Sequence, residues 1–157
     1  MYSNSSSLPT FLLAGSSKTG TTTIYRYLKQ HPQVFLASLK EPGFFTYEGR
    51  ADVHRGIRNE PFISDIASYE ALFSGIVDEC AIGDCSPQTF DEADQATILR
   101  IKKYIPTARI IIVLRDPLGW ALSAYRMYSR DGIEPCKTFA QAVERERSEV
   151  LAGSTTY

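Results

Sequence analysis

Four short apolar runs recur along the chain and are separated by longer segments in which apolar and polar residues mix. They cover Thr10–Ala14, Val34–Ala37, Ala81–Cys85 and Arg109–Leu114. Short apolar runs that end at glycine, proline or polar turns are typical of buried strands. The last run consists almost entirely of β-branched residues and leucine, which predicts a strand covered on both faces.

Apolar residues at helical spacing characterise most of the segments between these runs. Strands that alternate with helices predict a parallel, doubly wound α/β sheet. The predicted helices cover Thr21–Gln30, Ser68–Ser74, Asp91–Tyr104, Pro117–Ser129 and a segment that begins near Thr138.

The last helix has a recognisable start. Thr138 and Gln141 have the spacing of a capping box, in which each side chain accepts a hydrogen bond from the backbone N–H of the other residue. Phe139, Val143 and Val150 are predicted to form the buried stripe of this helix.

Two segments lack such periodicity. Residues 1–9 are polar, rich in serine and closed by Pro9, which predicts a flexible tail. Residues 42–65 are rich in glycine, proline and charge, which predicts a long irregular excursion that shapes a site. The remaining residues, 10–157, are predicted to form one domain.

Composition and charge narrow the classes of function. The net charge of the 157-residue chain is −1, so it lacks the broad basic surface of a nucleic-acid-binding protein. The three cysteines are an odd number at no metal-ligand spacing, which favours a reducing compartment and no metal site. No signal peptide and no membrane-spanning run are visible, so we expect a cytoplasmic protein.

The segment Ala14–Thr23 contains the candidate chemistry. It passes from the first predicted strand through a glycine-containing turn into a helix, where unpaired backbone N–H groups attract anions. Lys18 adds a positive charge, but it precedes Gly20. In the loop of nucleoside-triphosphate enzymes the lysine follows the last glycine. The order therefore predicts a P-loop-like phosphate site of a different kind.

Three motifs resemble those of sulfotransferases. Lys18–Thr22 resembles their 5′-phosphosulfate loop, and Arg109–Pro117 with Ser123 and Tyr125 resembles their 3′-phosphate motif. Lys40–Phe45 resembles the K-E-P-x-F-F segment of the carbohydrate-type branch, which includes heparan-sulfate-like and bacterial enzymes. The resemblance runs from Phe11 to Val150 and implies the N-terminal portion of a sulfotransferase fold, incomplete at its C-terminus.

Weaker echoes of the family lie between these motifs. They are His54–Ile57, Tyr69–Phe73 and Gly83–Pro87. Two positions depart from the family pattern: Trp120 stands where a second arginine is usual, and Cys85 where heparan-type relatives often have a lysine.

The resemblance implies a donor and a set of site residues. The donor is 3′-phosphoadenosine-5′-phosphosulfate (PAPS), an anionic nucleotide that needs no metal, and the acceptor is a carbohydrate-like or small-molecule hydroxyl or amine. Lys18 is implied to stabilise the leaving group and Glu41 to act as the base. The residues implied to bind the nucleotide are Lys18, Thr19, Gly20, Thr21, Thr22, Arg115 and Ser123.

Simpler interpretations exist for the charged residues. Lys18 could be a solvated loop lysine, Glu41 could pair with Lys40, and Arg115 could pair with Asp116 or cap the sheet edge. At the level of function, the alternatives are a catalytically inactive nucleotide-binding remnant and a nucleoside-triphosphate enzyme. The transferase hypothesis requires the amides around Gly20 and the Arg115 guanidinium to converge on opposite ends of one nucleotide.

Overall fold

A computed structural model of the protein describes residues 8–50, 52–55 and 60–151. Most of the predicted 1–9 tail, and Gly56 and Ile57 of one weak family echo, lie outside the described residues. The described chain forms two compact units that divide between Leu114 and Arg115, here called the larger and the smaller unit. The prediction of one domain over residues 10–157 is not tested by this division.

The larger unit is built on a parallel sheet with helices around it. Its elements in chain order are β1 (Phe11–Gly15), α1 (Thr21–Leu28), β2 (Val34–Leu36), α2 (Phe44–Tyr47), β3 (His54–Arg55), β4 (Glu60–Pro61), α3 (Ile66–Ala71), β5 (Ala81–Asp84), α4 (Gln88–Asp91), α5 (Gln95–Tyr104) and β6 (Arg109–Ile112).

The four longer strands form one sheet in the order β2-β5-β1-β6, with every pair parallel. Phe11 on β1 is in register with Gly83 on one side and with Arg109 on the other. The parallel α/β class predicted from the alternating pattern is confirmed. A separate antiparallel pair joins β3 to β4.

Strand β1 is buried on both faces. Leu12 lies in an apolar cluster with Phe44, Phe45 and Tyr69, whereas Leu13 lies in another cluster with Tyr25 of α1. Since successive side chains of a strand point to opposite faces, helices cover both faces of the sheet at this strand. This arrangement is the doubly wound layering that the sequence predicts.

Strand β6 contradicts its sequence-based prediction. Ile110, Ile111 and Ile112 are 42% to 47% exposed, although their β-branched run predicted a strand covered on both faces. The strand is at the edge of the described sheet, and among the described residues nothing covers these side chains fully. Composition predicted the strand correctly but could not predict how many neighbours it has.

Two segments differ from their predictions: residues 42–65 contain more regular structure, and the helix predicted over Asp91–Tyr104 is interrupted. Residues 42–65 include the buried helical turn α2 and strands β3 and β4, so the prediction of an irregular excursion is wrong in part. The helix predicted over Asp91–Tyr104 is divided between α4 and α5. The Asp94 carboxylate accepts the Thr97 N–H at 2.6 Å and thereby starts a new helix there.

The smaller unit is a pair of helices, α6 (Pro117–Arg130) and α7 (Phe139–Leu151). The predicted capping box is present: Thr138 N–H donates to Gln141 Oε1 at 3.2 Å, and Gln141 N–H donates to Thr138 Oγ1 at 3.3 Å. The predicted stripe is wrong at Val143 and Val150, which are 46% and 59% exposed, and Ala142 is buried instead. Within the described residues, no helix is both long and apolar enough to cross a membrane.

Candidate active site

The carboxyl end of β1 leads directly into the predicted phosphate loop. Val113 N–H donates to Gly15 O at 2.8 Å, and Ser16 N–H donates to Val113 O at 3.0 Å, so the β1–β6 pairing continues into the loop. The loop then turns sharply, with left-handed φ angles of 64° at Lys18 and 102° at Gly20. The Thr19 hydroxyl closes the turn by donating to Ser16 O at 2.6 Å.

The turn delivers the chain to the N-terminus of α1. Gly20 is the N-cap, and among the described residues no side chain caps this helix. The first amides of a helix attract an anion by their N–H groups and by the helix dipole. Lys18, which lies two residues before Gly20 in the sequence, is half-buried. Thr21 is buried and Thr22 is exposed. These features suit a phosphate, and the assignment of the loop residues to the nucleotide stays a prediction.

Glu41 lies in the segment that follows β2. Its φ is 62°, a left-handed conformation that costs a non-glycine residue about 1 kcal/mol or more. The Glu41 N–H donates to Cys85 O at 3.1 Å, which ties this residue to the chain just beyond β5. Lys40 Nζ pairs with Glu41 Oε1, as the simpler interpretation expects, yet the Glu41 side chain remains 33% exposed.

Cys85 contacts both the start of α1 and Glu41. Its carbonyl accepts from Glu41, and its thiol lies 3.9 Å from the carbonyl oxygen of Thr21. Burial is the main cause that raises the pKa of this thiol to about 12, so it stays protonated at neutral pH. Cys85 therefore serves as a packing contact between the two candidate segments and is not a thiolate nucleophile.

A buried network of hydrogen bonds around Asp84 and Ser86 holds the segment that follows Glu41. The Asp84 carboxylate accepts from Tyr69 Oη at 2.6 Å and from Ser86 Oγ at 2.7 Å. Ser86 Oγ in turn accepts the Gly43 N–H at 3.1 Å. The left-handed turn at Glu41 is thus held on its two sides, by Cys85 O and by Ser86 Oγ.

Arg115 and Ser123 belong to the smaller unit. Asp116 is the N-cap of α6 and accepts the Gly119 N–H at 2.6 Å, and its other oxygen lies 4.0 Å from Arg115 Nε. The Arg115–Asp116 pair of the simpler interpretation is therefore present but long, and the Arg115 side chain is 45% exposed. Ser123 is half-buried in α6. The convergence of Arg115 with the Gly20 amides stays a prediction.

Trp120, where the resemblance leads one to expect a second arginine, lines a cleft of about 320 Å³ within the smaller unit. Tyr125 and Phe139 line the same cleft, and their ring centroids are 5.6 Å apart. Trp120 therefore faces a cleft that residues of α6 and α7 line together.

Sequence reasoning did not identify the residues that hold the candidate segments. Asp84 and Ser86 were seen only as part of a weak motif, and Asp91 only as the start of a helix. Two of the contacts that hold these segments are long-range: Ser86 and Gly43 are 43 residues apart along the chain, and Asp91 and Ser16 are 75 residues apart. No local spacing signals such contacts, because the fold creates them.

Comparison with known proteins gives a consistent result. A family model described as "Sulfotransferase family" matches residues 9–153. The chain is similar to the membrane-associated sulfotransferase kil1 of Dictyostelium discoideum, with 29% identity over 75% of this chain and 22% of that protein. It is also similar to human carbohydrate sulfotransferase 15, with 26% identity over 78% of this chain and 28% of that protein.

A solved structure is similar over most of the chain. The sulfotransferase from Alicyclobacillus acidocaldarius superposes with a TM-score of 0.71 and 30% identity, over 92% of this chain and 59% of that one. The chain thus spans between a fifth and three tenths of the length of the first two curated relatives and about three fifths of the solved structure.

Proposed function

The chain belongs to the sulfotransferase family, and from that premise we propose that it transfers a sulfonate group from PAPS to a hydroxyl or amine acceptor, most simply one on a carbohydrate. Support for the donor comes from the loop 15–22, and support for the acceptor class comes from the Lys40–Phe45 segment. Two carbohydrate-directed relatives, human carbohydrate sulfotransferase 15 and the human bifunctional heparan sulfate N-deacetylase/N-sulfotransferase 3, agree with that acceptor class.

In the proposed reaction the acceptor oxygen or nitrogen forms a new bond to sulfur, while the bond from sulfur to the bridging phosphate oxygen breaks. Negative charge develops on the phosphate that leaves, and the Lys18 ammonium stabilises it there. Glu41 takes the proton that the acceptor loses. The amides of Gly20, Thr21 and Thr22 hold the 5′-phosphate, while Arg115 and Ser123 hold the 3′-phosphate.

The observation that carries this proposal is the uncapped N-terminus of α1 at a left-handed Gly20, directly after Lys18. The first amides of a helix that no described side chain caps can bind an anion. Cys85 contacts both Thr21 and Glu41, which supports a single site that contains the proposed base and the proposed anion-binding amides.

The proposed roles are tested with purified protein, labelled PAPS and a panel of carbohydrate and small-molecule acceptors. We expect Lys18→Ala and Glu41→Gln each to lower kcat by about 100-fold or more, since each removes a group that acts in the transition state. Lys102→Ala and Glu70→Gln are matched controls on exposed helix positions and should keep full activity.

Calorimetry with 3′,5′-adenosine bisphosphate separates the transferase from an inactive remnant. Binding of this nucleotide without transfer to any acceptor would favour the remnant. Transfer that survives both Lys18→Ala and Glu41→Gln would contradict the assigned roles. Magnesium-dependent cleavage of ATP would instead favour the nucleoside-triphosphate enzyme.

A further inference from the structure

The helical turn α4 packs directly on the start of the phosphate loop. A Cβ atom added at Gly15 would lie 2.8 Å from Phe90 Cβ, closer than Cβ atoms come to other atoms in folded proteins, and in a tight contact of 3.2 Å with the backbone oxygen of Pro87. Only glycine therefore allows α4 to lie this close to the loop. The contact places the last residue of α4, Asp91, beside Ser16 and Ser17.

Both oxygens of the Asp91 carboxylate bind the loop. Oδ1 accepts from the Ser16 hydroxyl at 2.8 Å, and Oδ2 accepts the Ser17 backbone N–H at 2.8 Å. Hydrogen bonds from a backbone N–H to a carboxylate are about twice as strong as those between neutral groups. The two bonds fix the chain immediately before Lys18.

Lys18 needs such support because its backbone is left-handed, with a φ of 64°. This conformation costs a residue with a side chain about 1–2 kcal/mol relative to the right-handed region. Asp91 holds the chain on one side of Lys18, and the Thr19 hydroxyl holds it on the other by its bond to Ser16 O. Without Asp91 the turn can relax and move the lysine side chain.

A carboxylate beside a loop that binds an anion also has an electrostatic disadvantage, because it repels a phosphate nearby. It also takes the Ser17 N–H, which an anion could otherwise use. The position of Asp91 is thus best explained by the geometry that it imposes on Lys18. The amides from Gly20 onward remain for the anion to bind.

We propose that Asp91 is a positioning residue that fixes the phosphate loop through Ser16 and Ser17 and thereby directs the Lys18 ammonium at the leaving group. This inference rests on the proposed function, since it assigns a purpose to the position of Lys18. Asp91 itself does not contact the reacting atoms in this scheme.

The test compares Asp91→Ala and Asp91→Asn with the wild-type protein. An asparagine at this position can keep both contacts, because its amide oxygen accepts the Ser17 N–H and its NH₂ group donates to Ser16 Oγ. We expect Asp91→Ala to lower kcat by about 10- to 100-fold, in line with the effect of a small misplacement of a reacting group. The KM for PAPS should change by less than about threefold, because the later amides still bind the phosphate, and Asp91→Asn should restore most of kcat.

Asp78→Ala, which removes an exposed carboxylate elsewhere in the larger unit, is the matched control and should behave as the wild type. Thermal unfolding verifies that each variant is folded before its kinetics are compared. A merely structural role would lower the melting temperature of Asp91→Ala and leave kcat per folded molecule unchanged, which would overturn the inference.

The other outcomes are also decisive. If Asp91→Ala and Asp91→Asn both bind 3′,5′-adenosine bisphosphate more tightly and turn over faster, Asp91 competes with the nucleotide and the inference is wrong. An active wild type with an unaffected Asp91→Ala overturns this inference alone. A wild type that neither binds the bisphosphate nor transfers sulfonate overturns the proposed function, and this inference falls with it.

Discussion

Asp84 is a carboxylate in the core of the larger unit, with only 1% of its surface exposed. Burial is the main cause that raises its pKa from the ordinary value of 3.8 to about 6, and the charge of Glu41 adds to this effect. The hydrogen bonds from Ser86 and Tyr69 act in the opposite direction, because they favour the ionised form. The protonation state of Asp84 therefore affects the hydrogen-bond network that holds the turn at Glu41.

The raised pKa has a definite consequence for stability. Between pH 4 and 6 the folded protein holds a proton on Asp84 that the unfolded chain has released, so the contribution of Asp84 to stability falls as pH rises. The difference between 3.8 and about 6 corresponds to at most about 3 kcal/mol. In Asp84→Asn we expect this part of the pH dependence to vanish. Urea unfolding at pH 4.5 and pH 7.0 measures it.

Asp78→Asn is the control for this experiment, because Asp78 is exposed and its removal should leave the pH dependence as in the wild type. An Asp84→Asn variant whose stability changes with pH in parallel with the wild type would show that Asp84 does not titrate in this range.

At the scale of elements, α2 illustrates how a four-residue helix can be stable. Phe44 and Phe45 are fully buried, and the Phe44 ring stacks on Tyr69 with a centroid distance of 4.4 Å. The carbonyl groups at the end of α2 have no partner within so short a helix. Arg100 of α5 supplies one: its guanidinium donates to the carbonyl oxygens of Phe45, Thr46 and Glu48, each at 3.2 Å.

Removal of this cap should loosen the segment that follows Glu41. We expect Arg100→Ala to lower the free energy of unfolding by about 1–3 kcal/mol, because three buried or half-buried carbonyl groups lose a charged donor. Arg100→Lys should recover little of it, since an ammonium lacks the planar fork of donors. Chemical unfolding measures the change, and amide hydrogen exchange should show faster exchange over residues 44–48.

Lys102→Ala, two residues further along α5 and exposed, serves as the control and should change the unfolding free energy by less than about 0.5 kcal/mol. Equal effects of Arg100→Ala and Lys102→Ala would mean that the guanidinium does not stabilise α2.

For the molecule as a whole, the larger unit buries the side chains of β1 and leaves those of β6 partly exposed. Leu12 and Leu13 are each 1% exposed, whereas the three isoleucines of β6 are more than 40% exposed. The two strands are neighbours in the sheet, and Leu13 is in register with Ile111. An aliphatic side chain on β1 is therefore expected to contribute more to stability than one on β6.

This pair gives a direct comparison. We expect Leu13→Ala to destabilise the protein by about 2–5 kcal/mol, since it leaves a cavity between sheet and helices. Ile111→Ala should cost about 1 kcal/mol or less, because its side chain already contacts solvent. Denaturant midpoints of the two variants, measured side by side, check the difference. A large loss in Ile111→Ala would indicate that something covers β6 in solution.

The sequence by itself determined the class of fold and the order of the candidate motifs. Apolar runs and helical spacing are local properties, so they predicted the parallel sheet, the start of α1 at Thr21 and the capping box of α7. The candidate phosphate loop was also visible in the sequence, because its residues adjoin along the chain.

Only the tertiary structure decided which residues support that loop and how each strand is covered. Asp91 reaches Ser16 across 75 positions, and Ser86 reaches Gly43 across 43 positions. Strand β6 is exposed although its isoleucines favour burial. Such contacts depend on which elements the fold places side by side, and hydrophobic pattern and turn chemistry act over only a few residues.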